Sequence, residues 1–473
     1  MRCRSSWMGW AAACLLVLAA WSTAAAEAPE ISGRIKLFST VYMESNPAGA
    51  FFSHGAGEFG FKRIETRLKL SGSLSDRVSY AVRLDAYSYP GDLIAPGSFP
   101  EAGPLGTSFS TEYFEANIYE ANIKVARFLL PKLDLTIGKQ RIGWGTADKV
   151  GVLDNLNPLD FANFFSFDPD YFAERRPQTG FNFEYYISDS TKLQLVWLIQ
   201  AQVSPMPYGY TSLTENFYQL QSMTIDKGWD SSLGKTSLGL RLSTRVLNTD
   251  ISLSYYQGNF SLPLLSKLTV YPEVQGAFYY PRLQVFGLDC AGEVEGVGFW
   301  GELAVMAPED VQASLQVPAM IDQMPTLVDM KFPLFESTTV KYVLGADYNF
   351  GRGFYANVQY LHGFFDEIGY SQSARTYFGM KQGMFFGQPS DYILGRVEYK
   401  TAGGTVKIKA GGLVEMDGAS SSFVFMPELE FRAADSLIIQ AGAFKVLSGD
   451  ESSTKFGMFK KDGMVYAGLR LDF

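Results

Sequence analysis

From Ile31 onward the chain is apolar at every second position rather than in blocks. Segments of about 10 to 14 residues with this period fall near 31–44, 59–71, 77–89, 113–128, 132–142, 178–188, 191–203, 236–247, 249–259, 276–290, 296–307, 338–349, 352–363, 391–401, 404–416, 422–433, 436–447 and 462–473. A period of two marks a strand with one apolar and one polar face, and this length crosses a bilayer at a tilt. The connections alternate between tight and long. Ser71–Asp76, Leu129–Pro131, Ser188–Ser190, Asn248, Ala291–Glu295, Phe350–Gly351, Ala402–Gly403 and Ala434–Asp435 are turns, whereas 90–112, 143–177, 204–235, 308–337 and 364–390 are long segments. Sorting of this kind predicts an all-β fold: a transmembrane antiparallel β-barrel of about 18 strands, 16 being the next even count, with short periplasmic turns and long extracellular loops.

One loop differs from the rest. Leu133, Leu135 and Ile137 alternate with Asp134, Thr136 and Gly138, and this strand runs into Lys139-Gln140-Arg141-Ile142-Gly143-Trp144-Gly145. Beyond it, residues 146–176 are broken by Asn157-Pro158 and Asp168-Pro169, yet carry Leu153, Leu156, Phe161, Phe164, Phe165 and Phe167. Side chains of that size exposed to water would forfeit roughly 1.5–3 kcal/mol each. The expectation is a loop near 143–176 that folds inward, with Asp160 capping a short helical turn from Phe161 and Trp144 packing where its strand ends.

Composition adds the compartment. Met1 to Ala26 has Arg2 and Arg4, an apolar run from Trp10 to Trp21 and Ala24-Ala25-Ala26, the form of a secretory signal peptide. The expected organisation is therefore 1–26 signal peptide and 27–473 a single barrel domain, with no plug ahead of the first strand. Cys3 and Cys14 leave with the signal, so Cys290 has no partner for an internal disulfide. Aromatic residues make up 15% of the chain, yet no later run approaches the roughly 18 apolar residues of a membrane helix. Mean hydropathy is −0.01, as expected when outward and inward residues cancel. The last strand places Val465, Ala467, Leu469, Leu471 and Phe473 on one face and ends on Phe473, as in outer-membrane barrels that carry an assembly signal there.

Charge divides between wall and loops. The inward faces carry Arg67, Lys69, Arg83, Lys124, Arg241, Arg245, Arg396, Lys400, Lys407, Lys409 and Arg470 against fewer acids, while most acids lie in loops, so the net charge of −9 belongs to the loops. Two readings of the wall stand: a basic ring that selects anions, or an ion-paired lining that keeps the lumen wet. The candidate constriction residues are Lys139, Arg141, Trp144, Asp148, Asp154, Asp160, Arg175, Arg176, Arg241, Arg396 and Lys407. Only two histidines occur, His54 and His362, and neither lies in a serine or carboxylate pattern that would orient it as a base, so no enzyme activity and no cofactor are expected. An acidic pI of about 5.0 speaks against nucleic acid.

Lys139-Gln140, Trp144-Gly145 and Asn157-Pro158-Leu159-Asp160 resemble a group of Gram-negative outer-membrane porin-like proteins in which a basic-Gln strand end leads to Trp-Gly and then Asn-Pro-x-Asp. The chain is also distantly similar to alginate-export-type porins, which implies an eighteen-stranded pore. Lys139 stands where that pattern more often has Arg. Taken together, these readings lead to an outer-membrane channel for passive diffusion of small hydrophilic, anionic solutes. The alternative is a structural or receptor barrel, such as a sheath for a periplasmic electron-transfer partner. Expected partners are outer-membrane lipid and lipopolysaccharide, the barrel-assembly machinery and the solutes themselves.

Overall fold

The computed structural model describes residues 28–47, 53–88, 108–111, 114–160, 168–199, 203–204, 222–226, 236–321, 324–336, 338–378, 387–418, 420–449 and 454–473. In chain order its strands are β1 (Glu30–Tyr42), β2 (Phe59–Ser73), β3 (Val78–Ser88), β4 (Ser108–Thr111), β5 (Phe114–Val125), β6 (Leu133–Gln140), β7 (Gln178–Tyr186), β8 (Thr191–Leu198), β9 (Ser222–Asp226), β10 (Ser237–Val246), β11 (Thr249–Asn259), β12 (Leu264–Thr269), β13 (Gln275–Tyr279), β14 (Arg282–Val294), β15 (Val297–Pro308), β16 (Gln312–Ile321), β17 (Met324–Pro333), β18 (Thr339–Gly351), β19 (Phe354–His362), β20 (Asp391–Lys400), β21 (Val406–Asp417), β22 (Ser420–Ala434), β23 (Leu437–Gly449) and β24 (Met464–Asp472). Eighteen of them form one closed antiparallel barrel, each paired to the next, and β24 returns to β1 from Arg34↔Asp472 to Tyr42↔Met464. Closure leaves no unpaired edge in the wall.

The alternation seen in sequence is the alternation of the wall. Ile35 and Leu37 on β1, Leu240 and Leu242 on β10, and Leu344 on β18 are exposed on the outside, while Lys36 on β1 and Glu302 on β15 are buried inside. Tight turns join the strands at one end. Leu247-Asn248 and Glu295-Gly296 have positive φ at both positions, the geometry that matches strand twist in a two-residue hairpin.

At the other end the long segments are more ordered than their polarity suggested. A second, five-stranded sheet runs β17-β16-β12-β13-β9, drawing on three different connections. Two expectations are corrected by it. The segment 276–290 is two strands: Pro281, which has no N–H to donate, separates β13 of the loop sheet from β14 of the wall. Likewise 308–337 is largely the hairpin β16–β17, whose Pro318 and Pro325 weigh against a strand in sequence although they are tolerated in a small sheet.

The hydrophobic core lies within the lumen rather than between sheet layers. Trp144, Leu153, Leu156 and Leu159 of one loop pack with Leu262, Leu283, Met306, Phe364 and Phe456 into a single cluster. A short helix α1 (Gln372–Tyr377), capped by the Ser371 hydroxyl on the Ala374 amide at 3.0 Å, adds Ala374 to it.

Candidate functional site

The described parts of the segment from Gly143 to Arg176, residues 143–160 and 168–176, meet inward-facing side chains on β1, β2, β8, β15 and β19. Its first half is held by one carboxylate. Glu302 on β15 accepts from the amides of Thr146 (2.6 Å), Ala147 (2.7 Å), Val152 (2.7 Å) and Leu153 (3.3 Å). Four converging amides form a nest for an anion, and here a side chain fills it. The approach demands glycine: a Cβ on Gly145, whose φ is +91°, would stand 2.2 Å from Glu302 Oε1, and one on Gly151 2.9 Å from Oε2. Trp144 is buried beside this turn and donates from Nε1 to Gln194 Oε1 at 2.9 Å. Asn157 closes the turn, donating to Ile142 O at 2.6 Å and accepting from the Ile142 amide.

The second half is held by ion pairs. Lys36 on β1 donates to Asp168 at 2.6 Å and Asp170 at 2.7 Å, and Arg63 on β2 reaches Asp168 at 2.7 Å, with Lys36, Arg63 and Asp168 all fully buried. Tyr171 inserts among arginines: its hydroxyl donates to Glu65, accepts from Arg34 and Arg67, and its ring lies 4.2 Å under the Arg63 guanidinium. Burial and the Glu65 carboxylate raise the Tyr171 hydroxyl above its ordinary value, so it stays a donor. For Asp170, burial alone would raise the carboxyl, but Lys36, then Arg34 and Arg470, hold it well below the usual carboxylate range.

The eleven residues singled out in sequence fall into separate groups. Asp160 and Arg176 form a buried pair at 2.8 Å, Arg141 lies 3.5 Å from Asp154, and Arg175 donates to Asn157 O, so these five hold the loop to itself, while Trp144 ties it to Gln194 on β8. Asp148 accepts from Asn357 at 2.6 Å and stands 4.0 Å from Arg396, which pairs with Glu398 at 2.7 Å; Lys407 shares Glu398 at 3.0 Å. Lys139 is buried on β6. Arg241 is bound to Asp289 at 2.9 Å. The expected Phe161 turn and Phe161, Phe164, Phe165 and Phe167 lie outside the described residues.

Sequence reasoning passed over Lys36, Arg63 and the particular role of Glu302. The first two are signalled only by their phase: Arg34-x-Lys36 and Arg63-x-Glu65-x-Arg67 put charges on the inner face of the first two strands. A further correction concerns the histidines, each of which meets a carboxylate distant in sequence. His54 Nε2 lies 2.7 Å from Asp462 and His362 Nδ1 2.7 Å from Asp391.

What space remains is uneven. Between Gly151–Leu159 of the loop and Tyr256, Leu262 and Phe364 lies a cavity of about 30 Å³, room for about one or two waters. Between Asp148, Lys149 and Pro169–Phe172 of the loop and the inner face of β19–β24, a cavity of about 270 Å³ remains. A second tether narrows the mouth, since Lys455 is buried against Asp366 at 2.7 Å and Glu367 at 2.9 Å; burial alone would lower its ammonium, but these two acids raise it.

The family profile described as "Protein of unknown function (DUF1302)" matches residues 126–437. No curated protein sequence matches the chain. Among solved structures, OccAB1 of Acinetobacter baumannii is similar at a TM-score of 0.49 with 8% identity, over 96% of this chain and 99% of that one. A Rhodopseudomonas blastica porin mutant gives 0.40 with 10% identity, over 94% and 100%. OmpF of Salmonella typhi, in complex with daunomycin, gives 0.39 with 8% identity, over 94% and 97%.

Proposed function

Because the chain belongs to the DUF1302 family, whose description assigns no activity, and because its wall closes around a loop that leaves one side of the lumen open, we propose that it is an outer-membrane channel for passive diffusion of small hydrophilic solutes. The observation that carries this reading is the unequal filling: about 30 Å³ on one side of the loop and about 270 Å³ on the other. The alternating exposed Leu, Ile and Val of the outer face suit lipid, which supports membrane insertion.

Solute selection in this reading belongs to the passage rather than to a basic ring. Most of the wall cations expected to form that ring are matched by acids: Arg67 and Arg83 share Asp85, Arg241 has Asp289, and Arg396 and Lys407 share Glu398. Paired charges in a lumen keep it wet and contribute little net field.

The test is single-channel conductance of the refolded protein in a planar bilayer, for the native chain and for one in which residues 147–173 are replaced by a Gly-Ser linker. We expect discrete openings from the first and a larger conductance from the second, with heat-modifiable barrel assembly retained. Absence of any conductance from the native chain would point instead to a closed receptor barrel.

A further inference from the structure

The cavity between the loop and β19–β24 is lined from both sides by apolar side chains, Pro169 and Phe172 of the loop and Leu394 on β20, Met426 on β22 and Phe444 on β23. Gly411 sits beside them between Lys409 and Leu413, and the missing side chain widens the passage there. Charged side chains are interleaved with these, Asp148, Lys149 and Asp170 on the loop and Arg396, Lys409 and Glu428 on the wall strands β20, β21 and β22.

Those charges are not equally available. Asp170 is held by Lys36 at 2.7 Å, Arg396 by Glu398 at 2.7 Å, Lys409 by Glu428 at 2.5 Å, and Asp148 by Asn357 at 2.6 Å. Lys149 is exposed and has no ion pair or side-chain hydrogen bond among the described residues. Its backbone has φ +62°, a region a lysine rarely occupies, and such outliers persist where surrounding structure enforces them. Here the enforcement is visible on both sides, because Asp148 is fixed by Gln359 and Asn357 and the amides of Val152 and Leu153 by Glu302. The turn thus adds one uncompensated ammonium to a cavity whose other charges are paired and whose remaining lining is largely apolar.

We infer that this passage binds small monocarboxylates with an apolar body, the carboxylate on Lys149 and the hydrocarbon against Phe172, Leu394, Met426 and Phe444. At about 270 Å³ the space falls just below the roughly 300 Å³ at which drug-sized pockets begin, which fits a solute of this scale. Each buried methylene strengthens binding by roughly four-fold, so chain length and charge sign should both be read.

The inference rests on the reading of the barrel as an open channel, and one experiment separates the two. Potassium chloride current through the full-length protein in a planar bilayer is titrated with hexanoate, acetate and hexylammonium. With four more methylenes than acetate, hexanoate should block half the current at a concentration up to about two hundred-fold lower when its chain is fully buried, and hexylammonium should block no better than acetate. Lys149→Gln should raise the hexanoate half-block concentration several-fold, and Met426→Asn should narrow the gap between hexanoate and acetate, whereas Arg241→Gln, remote from the passage, should behave as the native chain does. Equal block by hexanoate and acetate, or by hexanoate and hexylammonium, overturns the inference while leaving the channel in place. A protein that assembles but carries no chloride current overturns the channel reading, and this inference with it.

Discussion

The same loop is moored at its two halves by opposite chemistry. On the β15 side a single carboxylate, Glu302, collects four backbone amides and no cation; on the β1–β2 side two loop carboxylates, Asp168 and Asp170, meet a lysine and an arginine. The first mooring fixes the path of the main chain, since amides cannot turn away from it without unwinding the loop. The second fixes only side chains at the end of a turn. A nest of amides therefore specifies shape, and an ion cluster specifies position. If that distinction holds, damage to the two sites should differ in size and in its dependence on salt and pH.

The largest effect is expected from Glu302→Gln. Glutamine keeps one acceptor oxygen and offers an amide where the loop presents N–H groups, so at least two of the four amides lose their partner. Each buried donor left unmet costs about 1–3 kcal/mol. The first half of the loop should detach, and single-channel conductance should rise several-fold while the barrel still assembles. Gly145→Ala should do the same from the other partner, because its Cβ would meet Glu302 Oε1 at 2.2 Å. Conductance unchanged in both variants would show that the nest is ornamental to the pore.

Removing Lys36 tests the other mooring. Lys36→Met leaves Asp168 buried with less than its full complement of cations, and breaking a buried pair costs about 3–5 kcal/mol. We expect a noisier, moderately larger conductance. The double variant Lys36→Met with Asp168→Leu should recover part of it, because the charge of Asp168 is gone and Arg63 keeps Glu65 at 3.9 Å; a double variant worse than either single one would refute the ion-cluster account.

The contrast also explains what could be read from the sequence. The wall was legible because each strand carries its instruction locally: the alternation Leu240-Arg241-Leu242 or Val465-Tyr466-Ala467 is sufficient to set the inner and outer faces, and closure of an even number follows. The loop sheet was less so, since Pro281, Pro318 and Pro325 interrupt the pattern that marks its strands. Asp160 with Arg176 was accessible because both belong to the loop and its exit. Glu302 and Lys36 were not, being 156 residues from Thr146 and 132 from Asp168 along the chain. Nothing in their local sequence separates a wall charge that moors a loop from one that faces water.

A smaller effect is expected from Arg396→Gln. This guanidinium is partly exposed and shared between Glu398 and, at 4.0 Å, Asp148, so its loss costs about 1 kcal/mol or less in stability. It leaves Glu398 with Lys407 alone and tilts the passage toward cations. The reversal potential in a salt gradient should move toward cation preference by less than a two-fold change in permeability ratio, with no change in assembly. A shift toward anions would mean that Arg396 is not on the conduction path.

The smallest effect, and the one that separates the two moorings by pH, concerns Asp170. Burial favours its neutral form, but Lys36, Arg34 and Arg470 outweigh that and depress its carboxyl below the ordinary range. A carboxylate so depressed contributes stability that is fully present above its unfolded value of about 3.9, and that contribution is lost only as pH falls toward the depressed folded value. Conductance should therefore be flat from pH 7 to about pH 4, with loop release confined to stronger acid. Asp170→Asn removes the titrating group and should abolish this group's share of the acid response. A rise in conductance centred near pH 4 in the native protein, absent from Asp170→Asn, would show that the carboxylate titrates as if in water. The turn at 168–171 would then not be held against β1 by its charges.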